Sequence, residues 1–235
     1  MVKAKSTRKP RELRSKQAKA TSATSIAKRT APPTLKPSDI QAGDVLLCVV
    51  DDPDPITLRI RRKIGPYTHA AIALGRGRVA DAGGDGVTKT SLRDLIQWSS
   101  RIAVLKGWMW YSEALDELKR FVDWAVDQEV NFNIAGMRRA IEARKELIGY
   151  VMDMIQADDV RDPATRKADY FCSEFVIACF FDASLIRGKA KWVFKPDTFT
   201  PPMLADDRVF GIMSGYLVKR GRSVPVDDPL LHLLT

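Results

Sequence analysis

The strand-length apolar segments of this chain crowd into its first half, and the longer helix-period segments follow them. Val45 to Val50 is a continuous apolar run of strand length, followed by strand candidates at Thr68 to Leu74, Arg78 to Ala82, Gly86 to Thr90 and Arg101 to Leu105. Only a short helical stretch interrupts them, Leu92 to Trp98, with Ser91 as its cap and Asp94 at the capping-box position. Glu113 to Gln128 then places Leu115, Leu118, Phe121, Val122 and Ala125 at core spacing, and a second amphipathic helix runs from about Ile134 to Ile155. A third helix covers Phe171 to Phe181. A small sheet followed by helices is an α+β pattern, whereas alternating βαβ units would put a helix after each strand.

Charge divides the chain differently. The net charge is +9, but Met1 to Lys36 holds eleven Lys and Arg against one acid, Glu12, which leaves the remainder near −1. The tail, residues 1–36, lacks apolar periodicity and reads as disordered, with one domain at 37–235 that carries a helical insertion at about 131–157. As a function, the tail suits a solubilising extension, an anionic-surface contact or an organellar presequence. The near-neutral body argues against a specific nucleic-acid binder.

No stretch approaches the roughly 18 apolar residues of a transmembrane helix. The N-terminus also lacks the apolar core of a secretory signal, so the expected setting is cytoplasmic, organellar or peripheral to a membrane. Three cysteines with no CxxC pair, and two histidines, argue against a disulfide framework or a zinc site. Neither cofactor nor metal is expected.

Chemistry concentrates on few residues. Cys172 starts the helix after Asp169-Tyr170, where unpaired backbone N–H groups favour a thiolate. Cys179 lies two turns deeper and Cys48 lies in an apolar strand, so both read as inert packing residues. A base must be His69 or His232, and His232 is nearly terminal. His69, flanked by alanines in its strand, is the candidate.

A third residue should hold the imidazole through its second nitrogen. If Gly75-Arg76-Gly77 forms a three-residue hairpin loop, Leu74 pairs with Arg78 and Ala71 with Asp81, which makes Asp81 a diagonal neighbour of His69 on one face. A two-residue loop would turn Asp81 to the opposite face. Glu174 and Asp44 are the replacements to consider in that case.

Gly43-Asp44-Val45-Leu46-Leu47, Thr68 to Gly75, Val79 to Ala82 with Gly86-Val87, and Tyr170-Phe171-Cys172-Ser173-Glu174-Phe175-Val176 together resemble the permuted NlpC/P60 proteins. The similarity is to the YiiX/YebB-like branch of papain-like hydrolases, and more distantly to lecithin retinol acyltransferase. It spans about Ile40 to Asp207 and includes Val130-Asn131-Phe132-Asn133 and Phe199-Thr200-Pro201, which look like the family's cleft segment and the segment after its cysteine helix. The resemblance implies a papain-like, circularly permuted fold: a small antiparallel sheet or barrel packed against helices. It implies Cys172 as nucleophile, His69 as general base and Asp81 as the third polar residue, where relatives often carry glutamate or histidine. The Cys172 backbone N–H would stabilise the oxyanion, with Tyr67 and Asn133 as further oxyanion or cleft candidates.

The function expected from this pattern is a thiol hydrolase or acyltransferase. It would form a thioester at Cys172 on a small amide, ester or lipid-like substrate, as an amidase, a peptidase or a lipid acyl hydrolase. The competing expectation is a non-catalytic binding module that keeps the cleft without the chemistry.

Overall fold

The apolar run at 45–50 becomes a central strand because both of its faces are covered. In the computed structural model, which describes residues 31–143, 166–188 and 194–234, β1 (Val45–Val50) lies between β2 (His69–Gly75) and β5 (Ser99–Lys106). Val45, Leu47 and Val49 point into one hydrophobic cluster, and Leu46 and Cys48 into a second on the opposite face. Two buried faces are why the segment reads as unbroken rather than alternating.

Next to β2 lie β3 (Arg78–Gly83) and then the edge strand β4 (Gly86–Ser91). Short β6 (Asn131–Phe132) and β7 (Asp169–Tyr170) form a separate parallel pair. The last strand, β8 (Ile212–Val218), returns to the main sheet beside β5. The result is a six-stranded antiparallel sheet in the order β4-β3-β2-β1-β5-β8, so the chain is α+β.

Among the described residues, the helices longer than one turn that accompany the sheet are α1 (Pro55–Ile64), α2 (Leu92–Trp98), α3 (Ser112–Asp127), α4 (Ile134–Ala143) and α5 (Cys172–Asp182). The α5 helix is buried from Cys172 through Phe181, apolar nearly all round, as a helix inside a core must be. It packs on β2 and β3, while Phe121 of α3 stacks on Phe175 with ring centroids 5.8 Å apart. The opposite face is closed by Leu92 and Leu95 of α2 with Leu35 and Ile40.

Two elements were not expected. The α1 helix has a strong start, since Asp54 caps the N–H groups of Ile56 and Thr57 and Pro55 occupies the first turn. Its β-branched, basic sequence hides that start. The β8 strand carries Gly215 at φ +146°, a residue that breaks the strand signal, and Tyr216 is sealed by the chain's own entry: Leu35 N–H donates to Tyr216 O and Tyr216 N–H to Pro33 O. Pro33 and Leu35 thus join the fold inside the segment assigned to the tail, through backbone bonds that need no apolar periodicity.

The hairpin between β2 and β3 also corrects the expected loop. Arg76 and Gly77 form a two-residue turn with φ of +51° and +68°, closed by a Gly75–Arg78 pair. A bulge at Leu74–Gly75 then restores Ala73 opposite Val79 and Ile72 opposite Ala80. The expected calls at residues 1–30, and the part of the second amphipathic helix beyond Ala143, lie outside the described residues. Among the described residues no helix is long and apolar enough to cross a membrane.

Candidate active site

Cys172 is the first residue of α5 because the chain before it is held extended. Asp169 and Tyr170 pair with β6, and Phe171 takes φ −97°, ψ 169° as the cap. Glu174 folds back so that its carboxylate accepts the Phe171 N–H at 3.3 Å while pairing with Lys167 Nζ at 2.7 Å. Burial pushes the Glu174 carboxyl upward, opposed by Lys167. Ser173 Oγ donates to Phe199 O at 2.6 Å, which fastens the helix start to the 199–201 segment. The first N–H groups of a helix have no intrahelical acceptor, so those around Cys172 can serve an anion.

His69 is the first residue of β2, at the end of the sheet rather than beneath its middle. Its Nε2–H donates to Asp81 Oδ2 at 2.8 Å. Cys172 is the ring's other influential neighbour, and it favours the charged imidazole. With Nε2 taken by the carboxylate, Nδ1 is the nitrogen left for the sulfur. Trp98 closes over the ring edge-on, its centroid 5.2 Å away at 72°.

Burial is the largest influence on the imidazole and disfavours its charge, but Asp81 and Cys172 together outweigh it and raise the pKa to about 10. That direction favours the charged ring. Burial raises the Cys48 and Cys179 thiols as well, toward their neutral, protonated form. Cys172 is 4% exposed and the other two 0%, so only Cys172 touches solvent-accessible space.

That space is a slot of about 10 Å³ in which Cys172 meets Ile60, Met137 and Ile141 with Thr68 and Thr200. It is about the smallest volume that holds one water. The Thr68 and Thr200 hydroxyl oxygens are buried without a hydrogen-bond partner among the described residues. A buried hydroxyl left unpaired costs free energy, so a ligand atom that bonded both would be stabilised there. Neither threonine was singled out from sequence, although one adjoins His69 and the other lies in the Phe199-Thr200-Pro201 segment.

The remaining sequence candidates fall elsewhere. Tyr67 is fully buried and its hydroxyl donates to Asp228 at 2.9 Å, beside Tyr216 and Arg101 on the same carboxylate, so it is not free to serve an oxyanion. Asn133 is a positioning residue: its Oδ1 accepts the Gly136 N–H at 2.6 Å and its Nδ2 donates to Asp169 at 3.1 Å, fixing the start of α4. Asp44 is occupied by Lys106 and by the Gln41 and Gly107 N–H groups. His232 is exposed and lies in a turn with its Nδ1 on Pro229 O. Among the described residues no group of three or more His, Cys, Asp or Glu is arranged to hold a metal.

The arrangement can do nucleophilic chemistry: a thiol at a helix start, a charged imidazole beside it and a carboxylate holding that ring. A scan with protein-family models and a search of curated proteins each find no match to this chain.

Proposed function

We propose that the protein is a cysteine-nucleophile hydrolase or acyltransferase acting on an amide or ester. The observation that carries the reading is the His69 imidazole, bonded to Asp81 through Nε2 and influenced by the neighbouring Cys172 at the start of α5. We also read the fold as papain-like and circularly permuted in the NlpC/P60 manner, because the histidine strand precedes the cysteine helix.

In this reaction the Cys172 sulfur adds to the carbonyl carbon, and the oxyanion meets the N–H groups at the start of α5. The carbon–oxygen or carbon–nitrogen bond then breaks as His69 gives its Nδ1 proton to the departing alcohol or amine. That leaves a thioester on Cys172 and a neutral imidazole. Water, or another nucleophile, attacks the thioester while His69 takes up its proton, the acyl–sulfur bond breaks, and Cys172 and His69 return to their starting state. Asp81 keeps the ring oriented through both halves.

The binding-module reading draws on a different observation, the slot of about 10 Å³ over a cysteine only 4% exposed. A substrate carbonyl would have to part α4 from the 199–201 segment to reach the sulfur. Incubation with short acyl esters and amides, followed by mass analysis of acid-quenched protein, separates the two. An acyl adduct on the Cys172 peptide, absent in Cys172→Ala, supports the hydrolase; no adduct and no turnover with either substrate class supports the module.

A further inference from the structure

The slot at Cys172 has a larger neighbour. Ile60, Met137 and Ile141, which line the slot, also line a groove of about 540 Å³ between α1 and α4, with Ile56 and with a basic side carrying Arg59, Lys63 and Arg138 against one acid, Glu142. Ile56 is 61% exposed on that wall, a large apolar side chain left open to solvent. None of the three basic side chains is ion-paired among the described residues.

Resting on the thiol reading above, we infer that the groove between α1 and α4 binds an anionic aliphatic substrate, whose ester or amide carbonyl meets Cys172 and whose carboxylate or phosphate lies at the basic side. Three features select this occupant. The side chains common to the groove and the slot, Ile60, Met137 and Ile141, are all apolar, so the segment between carbonyl and anion is apolar. The walls are helix faces whose backbone groups are spent on the helices, so the amides of a peptide would find no partners along them, whereas methylenes require none. The basic side has a surplus of positive charge that no described carboxylate neutralises, which complements an oxyanion.

The asymmetry of the groove sets the substrate's direction. The larger groove carries the charged side chains and the small slot holds the nucleophile, so the anion stays in the groove while the reactive carbonyl is drawn to the slot. The two unpaired hydroxyls of Thr68 and Thr200 stand at that slot, where a carbonyl or its oxyanion would give them an acceptor.

Paired esters of equal chain length test this on the full-length protein. The mono-p-nitrophenyl ester of octanedioic acid carries the terminal carboxylate, and p-nitrophenyl octanoate lacks it. Because exposed charge pairs are each modest, the three cations together are expected to favour the anionic ester by about tenfold in kcat/KM. Arg59→Gln/Lys63→Gln/Arg138→Gln, all surface changes, should abolish that preference by lowering kcat/KM for the anionic ester to that of the neutral one. Met137→Trp should slow both esters by filling the groove.

Equal rates for the two esters, both dependent on Cys172, overturn the inference while the thiol reading stands. If neither ester is cleaved, fluorescence of cis-parinarate added to the protein decides. Saturable binding weakened by Met137→Trp and by the triple variant keeps the anionic groove and removes the thiol reading. No binding removes both.

Discussion

Gly75, not Leu74, pairs with Arg78, and the bulge this creates is what brings Asp81 beside His69. A two-residue turn alone would have set Asp81 opposite Ile72 and pointed its carboxylate through the sheet. The extra residue at Leu74–Gly75 shifts the ladder by one and returns Asp81 to the imidazole's face. The hairpin geometry is therefore part of the site, although the turn itself is far from the cysteine along the strand.

The turn should be sensitive in a specific direction. Gly77 has φ +68° and no Cβ neighbours, so Gly77→Val meets no steric neighbour but must adopt a left-handed conformation, costing roughly 1–2 kcal/mol. Arg76, at φ +51°, is already a non-glycine residue there, and Arg76→Asn is expected to stabilise by a few tenths of a kcal/mol, on the order of the αL preference of asparagine. Urea unfolding of the two variants reads both signs. Two changes of the same sign would contradict the turn assignment.

The raised His69 pKa makes stability depend on pH. The folded value of about 10 lies above the ordinary histidine value of 6.5, so the contribution is fully present below pH 6.5 and disappears as pH rises through about 10. Unfolding free energy should fall across that window in the wild type and stay flatter in His69→Gln. In Asp81→Asn the carboxylate's support is lost and the upper edge of the window should move down. Urea titrations at pH 6, 8 and 10 measure it. Identical slopes in wild type and His69→Gln would mean the ring is not held charged.

Asp228 marks a second dependence, this one structural. It accepts from the Tyr67 and Tyr216 hydroxyls, the Leu230 N–H and Arg101 Nε, tying the chain's last described turn to the sheet. Asp228→Ala would leave the Arg101 guanidinium, 12% exposed, without its partner, at a cost of about 3–5 kcal/mol. Tyr67→Phe should cost only about 1 kcal/mol and leave the rate of cysteine chemistry unchanged. A large loss of turnover in a folded Tyr67→Phe protein would restore the tyrosine to the oxyanion site.

Much of this site was readable because its signals are local. The apolar run at 45–50, the Ser91 cap and the core spacing of α3 each depend on neighbours within a few residues, and each appears where the sequence puts it. His69 and Cys172 were identified by scarcity, since few residues in the chain could share that chemistry. What the sequence obscured depends on tertiary partners. Tyr67 looked available until Asp228, far along the chain, claimed its hydroxyl, and Asn133 looked like a cleft donor until the Gly136 N–H and Asp169 took both ends of its amide. Asp81 was placed on the correct face through the wrong loop, because a bulge and a longer turn produce the same register. The α1 helix, which forms one wall of the groove, was missed even though Asp54-Pro55 is a strong helix start.

The most direct test of the site compares the three thiols under one reagent. Cys48 and Cys179 are fully buried, and burial holds both in the protonated form. Cys172 borders the slot, sits at a helix start and neighbours the His69 imidazole, and each of these favours attack on an electrophile. Iodoacetamide at neutral pH should therefore modify Cys172 first, with peptide masses showing little label on the other two while the protein stays folded. Replacing the base should expose its role: His69→Ala removes the cation and should slow Cys172 labelling, while Asp81→Asn keeps the ring and should slow it less. Unfolding in urea must equalise all three rates, since the difference comes from the fold. Equal labelling of Cys172 and Cys48 in the folded protein, or no change on His69→Ala, would leave the helix-start cysteine as a packing residue and give the cleft to binding alone.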